Sequence, residues 1–180
     1  MKILLTVLAC IVLAVAGALA FIYSGIYDVS ASEPDNAIVA WALHNISDRS
    51  VDARLAGIIV PPGLDEPQVI EAGAHLFVQN CIVCHGGPGL KPTDIALGLN
   101  PKPPNLFRAG RTAWTEEMFR FIKHGVKMTA MPGFGRTHTD EQVWALTAFL
   151  RKAPGMSPAD FAAQTGIAAP TPADAKPAGG

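Results

Sequence analysis

From Ile3 to Tyr23 the chain carries no charged side chain over 21 residues. At helical rise this run spans about 30 Å, the hydrocarbon thickness of a bilayer, and reads as one membrane-crossing helix. A cleavable signal peptide competes with that reading, because Ala18-Leu19-Ala20 is a small-residue cleavage pattern. Against it, Phe21, Ile22 and Tyr23 continue the apolar run, and Tyr23 and Tyr27 suit an interfacial aromatic belt. Residues 1–27 are therefore expected to be a retained anchor. Lys2 and the α-amino group are the only positive charges ahead of the span. The N-terminus is then cytoplasmic and the remainder faces the periplasm from a cell inner membrane. With 180 residues in all, length favours one compact domain plus extensions.

Of three cysteines, Cys10 lies inside the apolar run and reads as a cysteine buried in the membrane. The other two form Cys81-Ile82-Val83-Cys84. A CxxC outside the cytoplasm can be a disulfide exchange site, half of a zinc site or a haem attachment site. His85 follows directly and completes CxxCH, the c-type haem signature. Two thiols at that spacing add across the two vinyl groups of a porphyrin, while the adjacent histidine comes under the iron. A zinc site needs further ligands, and the sequence has no second CxxC and no HxxxH. One motif implies one covalent haem c, with Cys81 and Cys84 as attachment points and His85 as an iron ligand.

Candidates for the opposite iron ligand are Met118, Met128, Met131, His75, His124 and His138. Met131 opens Met131-Pro132-Gly133-Phe134-Gly135. There the proline stops a helix and the glycines let an irregular loop approach a flat ligand. Met131 is the preferred ligand and Met128 the next. Met118 falls in an amphipathic stretch with Phe119, Phe121 and Ile122 and reads as core filling. His124 precedes Gly125 in a helical last turn, where a cation is favoured by the dipole. His75 is off the apolar stripe of its helix and should face solvent, and His138 is ambiguous.

Asp65-Glu66-Pro67 opens a helix that carries Val69, Gly73, Leu76 and Phe77 up to Cys81. Thr115-Glu116-Glu117 opens a second, with Gly125 as its C-cap. Thr139 and Gln142 form a capping box for a third, which runs through Val143, Trp144, Leu146, Phe149 and Leu150 to Arg151-Lys152. Gly73 on the first helix would let Trp144 or Phe149 of the third approach its backbone. In this order of elements, residues 66–153 resemble a class I cytochrome c domain, including CxxCH, Pro104-Asn105-Leu106 and the Met131-Pro132 loop. The resemblance implies an all-α fold, an N-terminal transmembrane helix followed by a haem domain over 65–153. It also implies that the Pro104 carbonyl accepts a hydrogen bond from His85, and that the protein is an electron carrier rather than an enzyme. Gly86-Gly87-Pro88-Gly89 and the prolines at 101, 103 and 104 depart from the family pattern.

Residues 28–64 read as a helical juxtamembrane connector. One helix starts at Ser32-Glu33-Pro34-Asp35 and a second short one spans Ser50 to Ile58 before Pro61-Pro62-Gly63. Residues 154–180, rich in Ala and Pro, read as a flexible tail that Phe161 could anchor. Net charge is −1 but uneven: residues 28–85 hold two basic and eight acidic side chains, residues 86–138 eight basic and three acidic. A basic rim suits an acidic redox partner protein, with Arg108 or Arg111 available to neutralise haem propionates. No basic patch interleaved with aromatics points to nucleic acid. The expected function is one-electron relay within or between respiratory dehydrogenase and oxidase complexes. The alternative is a haem sensor or peroxidase-like protein with an exchangeable distal ligand.

Overall fold

A computed structural model of the chain describes residues 1–110 and 115–168, divided into two units at Pro34. The first unit holds helix α1, Lys2–Ser24, closed by Gly25 in the left-handed conformation. It is long and apolar enough to cross a membrane, a property shared by an anchor and a signal sequence. Its side chains, Cys10 included, are exposed.

The second unit begins with α2, Ala37–Asp52, whose N-cap Asn36 accepts a hydrogen bond from the Ile38 amide through its side chain. This cap places the start after Ser32–Asp35 rather than within it, because Asn36 Oδ1 satisfies an otherwise orphaned helical N–H. The expected second helix over Ser50 to Ile58 is absent. Ser50 to Asp52 continue α2, and Arg54, Leu55 and Ile58 then close successive turns onto Val51, Asp52 and Leu55. Next come α3 (Pro67–Asn80), α4 (Ile82–His85), α5 (Asp94–Leu97), α6 (Thr115–His124), α7 (Asp140–Lys152) and α8 (Pro158–Thr165). No strand occurs among the described residues.

Helix α7 is central: every residue from Val143 to Leu150 is buried. Such a helix must be surrounded, and α3, α6 and the short 3-10 turn Phe134–Arg136 pack against it. Thr147, the polar residue in that stretch, satisfies its hydroxyl by donating to the Val143 carbonyl at 2.9 Å. The expected capping box is present, with Thr139 Oγ1 accepting from the Gln142 amide and Gln142 Oε1 from the Thr139 amide. Thr139→Ala should lower stability by about 1 kcal/mol in denaturant titration.

Phe77 of α3 and Phe149 of α7 meet at 5.3 Å between ring centres, and Phe107 sets its edge against Phe77 at 5.5 Å. A fourth ring comes from residues expected to be flexible. Phe161 is fully buried on α8 and packs edge-on against Phe77 and Phe107. Within the 154–180 segment, residues 158–165 are helical: Ser157 caps α8 by accepting from the Asp160 amide, and Phe161, the anchor the sequence offered, docks the helix into the core. On the other side of α7, Trp144 stacks on Phe119 of α6 at 3.9 Å.

Asp65, ahead of α3, is bridged at 2.8 Å by Lys152 and at 3.6 Å by Arg151, both in the last turn of α7. The hydrogen bond from Lys152, then the charges of Arg151 and Lys152, hold its carboxyl below the ordinary aspartate value of 3.8. A carboxyl depressed in the folded state stabilises above its unfolded value and loses that contribution as pH falls through the folded value. Thermal denaturation from about pH 6 to pH 3 should therefore show Asp65→Asn losing its difference from the parent protein at the acid end. The pair is exposed, so the effect is small.

Candidate functional site

Cys81 follows α3 directly as its C-cap, and α4 places Cys84 and His85 one turn on. The amides of Cys84 and His85 both bond the Cys81 carbonyl, at 3.1 and 2.9 Å, so the motif is wound into a single compact turn. Gly86 then leaves it at φ 63°, ψ −155°, a backbone conformation essentially restricted to glycine. The run Gly86-Gly87-Pro88-Gly89 has a use in this fold. A β-carbon on Gly87 would lie 2.7 Å from the Phe161 ring, so the bare backbone there makes room for α8. Thr93, the cap of α5, donates its hydroxyl to the Val83 carbonyl and ties the following loop back to α4.

His85 Nδ1 lies 3.0 Å from the carbonyl oxygen of Pro104. A carbonyl only accepts, so Nδ1 carries the proton and the imidazole lone pair resides on Nε2, the tautomer that ligates a metal. Asn105 supports the loop by accepting from the Phe107 amide at 2.9 Å through its side-chain oxygen.

These residues face a cavity of about 580 Å³, within the range of cofactor sites. Cys81, Cys84, His85, Pro104 and Met131 all line it. Leu99, Leu106, Met118, Phe121, Ile122 and Phe134 are among its apolar lining. The loop bearing Met131 is folded back on itself. Val126 N–H donates to the Met131 carbonyl, and Thr129 Oγ1 accepts from the Met131 amide while donating to the Val126 carbonyl. Gly125, at φ 65°, and Gly133 allow the two limbs to touch: a β-carbon on Gly125 would lie 2.5 Å from the Pro132 carbonyl carbon. Within this loop Met128 turns outward at 81% exposure and is not on the cavity wall, whereas Met131 is half-buried on it.

The histidines proposed from sequence fall elsewhere. His75 is exposed beside Glu71, and His138 takes the Phe134 ring edge and a hydrogen bond with Thr137. His124 ends α6, but burial first, then the charges of Arg120 and Lys123, hold it below the ordinary histidine value. Arg108 is exposed and off the cavity wall, and Arg111 lies outside the described residues.

Sequence reasoning missed His44, Ser47 and Asp48 of α2, which also line the cavity. Their i, i+3, i+4 spacing marks them as one flank of a helix, the only signal available before the fold was in hand.

Burial, reinforced by neighbouring Cys84, pushes the Cys81 thiol up to about 12. That is opposite to the depressed thiol of a disulfide exchange catalyst. Among the described residues no group of three or more His, Cys, Asp or Glu converges as a metal site. The cysteine pair, a histidine in the ligating tautomer, a thioether and an apolar cavity of cofactor size together fit a haem. Residues 68–150 match the family described as cytochrome C oxidase, cbb3-type, subunit III. Residues 68–150 are a cytochrome c domain. No curated protein matches the chain. The family implies covalent haem c and, typically, electron carriage. The cytochrome domain so matched stops short of α8, whose Phe161 nonetheless completes its aromatic core.

Proposed function

We propose that this chain is a membrane-tethered one-electron relay, in which Cys81 and Cys84 would attach one haem c and His85 and Met131 would ligate its iron. The observation that carries the reading is the shared cavity: both cysteines, the histidine and the methionine line it, and Met128 does not. When bound, the haem supplies a reversible one-electron couple. The protein groups do the rest. The Pro104 carbonyl holds the His85 ring and raises the basicity of Nε2. The Gly125 to Gly133 loop sets the Met131 thioether on the wall, and the apolar lining excludes water. With both His85 and Met131 given to the iron, the protein would leave it no position for a substrate, which favours a carrier over a sensor or peroxidase-like protein.

Several finer points belong to this proposal. Residues 1–27 act as an uncleaved anchor, 28–64 as a juxtamembrane connector and 65–153 as the haem domain on the periplasmic side. The family points to association with a respiratory oxidase. The basic excess of residues 86–138 suits an acidic docking face on the partner, so electron-transfer rates should fall with added salt.

The test is made on full-length protein purified from detergent-solubilised membrane. A low-spin ferric spectrum, haem retained after acid-acetone extraction, and reduction of that haem when donor substrate is added to the membranes are the expected results. A high-spin, five-coordinate resting state would overturn the carrier reading in favour of a sensor or peroxidase-like protein.

A further inference from the structure

The cytochrome match begins at residue 68, yet the cavity has a wall that the match does not include. Helix α2 packs on α6, and its His44, Ser47 and Asp48 line the cavity beside Glu117, Met118 and Phe121 of α6. Helix α2 turns Val39, Ala42, Ser47 and Val51 inward, all half-buried. Ile38, Trp41 and Ile46 on its other flank are 64–74% exposed, and the side chains of His44 and Asp48, 77% and 50% exposed, stand at the solvent-facing edge of the cavity they line. Polar side chains at the exposed edge of a largely apolar cavity suit polar groups at the edge of a bound molecule.

A haem has such groups only in its two carboxylates. We propose that α2 is part of the cofactor site and that His44 and Ser47 receive the carboxylate edge of the haem. The proposal rests on the haem reading above. His44 is oriented by Asp48, whose Oδ2 lies 3.3 Å from His44 Nε2 one turn along the helix. Asp48 is itself an anion, so it suits the role of holding the imidazole rather than meeting a carboxylate. Ser47 is half-buried, deeper than its neighbours His44 and Asp48, and brings a hydroxyl donor. Lys102, on the proline-rich loop, is a cation on the same cavity wall. Donors placed on haem carboxylates offset their negative charge, which would otherwise favour the ferric state. His44 and Ser47 are thus positioning residues that raise the reduction potential.

The double variant His44→Leu/Ser47→Ala, made in the full-length haem-bearing protein, is compared with Trp41→Ser on the outward flank of α2. Resonance Raman reads hydrogen bonding to the haem carboxylates, and redox titration reads the potential. In the double variant the carboxylate bending bands should shift and the potential should fall. Trp41→Ser should leave both unchanged, and His44→Gln, which keeps a donor, should restore part of each. Unchanged bands and potential in a double variant that retains its haem would overturn the proposal while leaving the haem reading intact. Loss of axial ligation in His44→Leu would also overturn it, by assigning His44 to the iron. A chain that acquires no covalent haem would overturn both readings together.

Discussion

Replacing Met131 with alanine is expected to abolish the near-infrared sulfur-to-iron band of the oxidised protein while leaving the covalent haem in place. On the proposed reading the haem is attached through Cys81, at the junction of α3 and α4, and Cys84 on α4, and the histidine is held by Pro104, so neither depends on the methionine loop. The reduction potential should fall by on the order of 0.1–0.2 V, part of the roughly 0.8 V over which axial ligands move haem couples. The vacated position should then bind added imidazole or carbon monoxide. Met128→Leu is the control. Its side chain is 81% exposed and off the cavity wall, so the band and the potential should survive it. If the band persisted in Met131→Ala and vanished in Met128→Leu, the ligand assignment would be reversed.

The contrast between the two methionines shows how far the sequence could be read. Both precede Pro132, and nothing in residue type decides between them. Loop character favoured Met131, but the deciding element is the turn in which Val126 and Thr129 hold the Met131 backbone, and turns of that kind leave no periodic signal. The three main helices of the haem domain were legible because each had a stripe and a terminus signal: Pro67 opening α3, the acidic first turn of α6, and the capping box of α7. The motif Cys81 to His85 was legible because its chemistry demands that spacing.

What escaped was set by long-range packing. Phe161 was legible as an anchor for the tail, but the 158–165 helix has an ordinary alanine-rich composition, and its place in the fold depends on that ring meeting Phe77 and Phe107 from distant parts of the chain. Helix α2 was legible as a helix and not as a wall of the cavity. Its polar flank carries residues that, read alone, look like a solvated face. Gly86 and Gly87 looked like a departure from the family pattern. In the fold, Gly86 adopts a positive φ and Gly87 leaves space for Phe161. Local signals thus identified the elements, and the contacts between them decided which residues reached the site.

One of those contacts was visible in advance, and it leads to the largest stability effect expected for a single change. Gly73→Val should prevent the protein from accumulating in its haem-bearing form. A β-carbon at Gly73 would sit on the carbonyl of Ala145 and within 2.9 Å of the Phe149 β-carbon. The obstruction is mostly backbone of a buried helix, which cannot turn aside as the end of a flexible side chain can. Helices α3 and α7 would have to separate, loosening Phe77 from Phe149 at the centre of the core. Overpacking of a close-packed interior commonly costs about 1–3 kcal/mol, and a clash against backbone belongs at or above the top of that range. Against a total stability of about 5–15 kcal/mol, the bulkier valine should leave little folded protein. Gly73→Ala should survive with a loss of about 3 kcal/mol in denaturant titration. Gly98→Ala serves as the comparison, because a β-carbon there meets its nearest atom at 3.6 Å and φ is −84°. It should cost less than about 1 kcal/mol. The Gly73 defect should also appear in haem content, since α3 runs directly into Cys81 and any displacement of its axis moves the first attachment thiol. Equal stability and haem content in Gly73→Ala and Gly98→Ala would show that the crossing of α3 and α7 tolerates a methyl group, and that the close approach at residue 73 does not govern the position of Cys81.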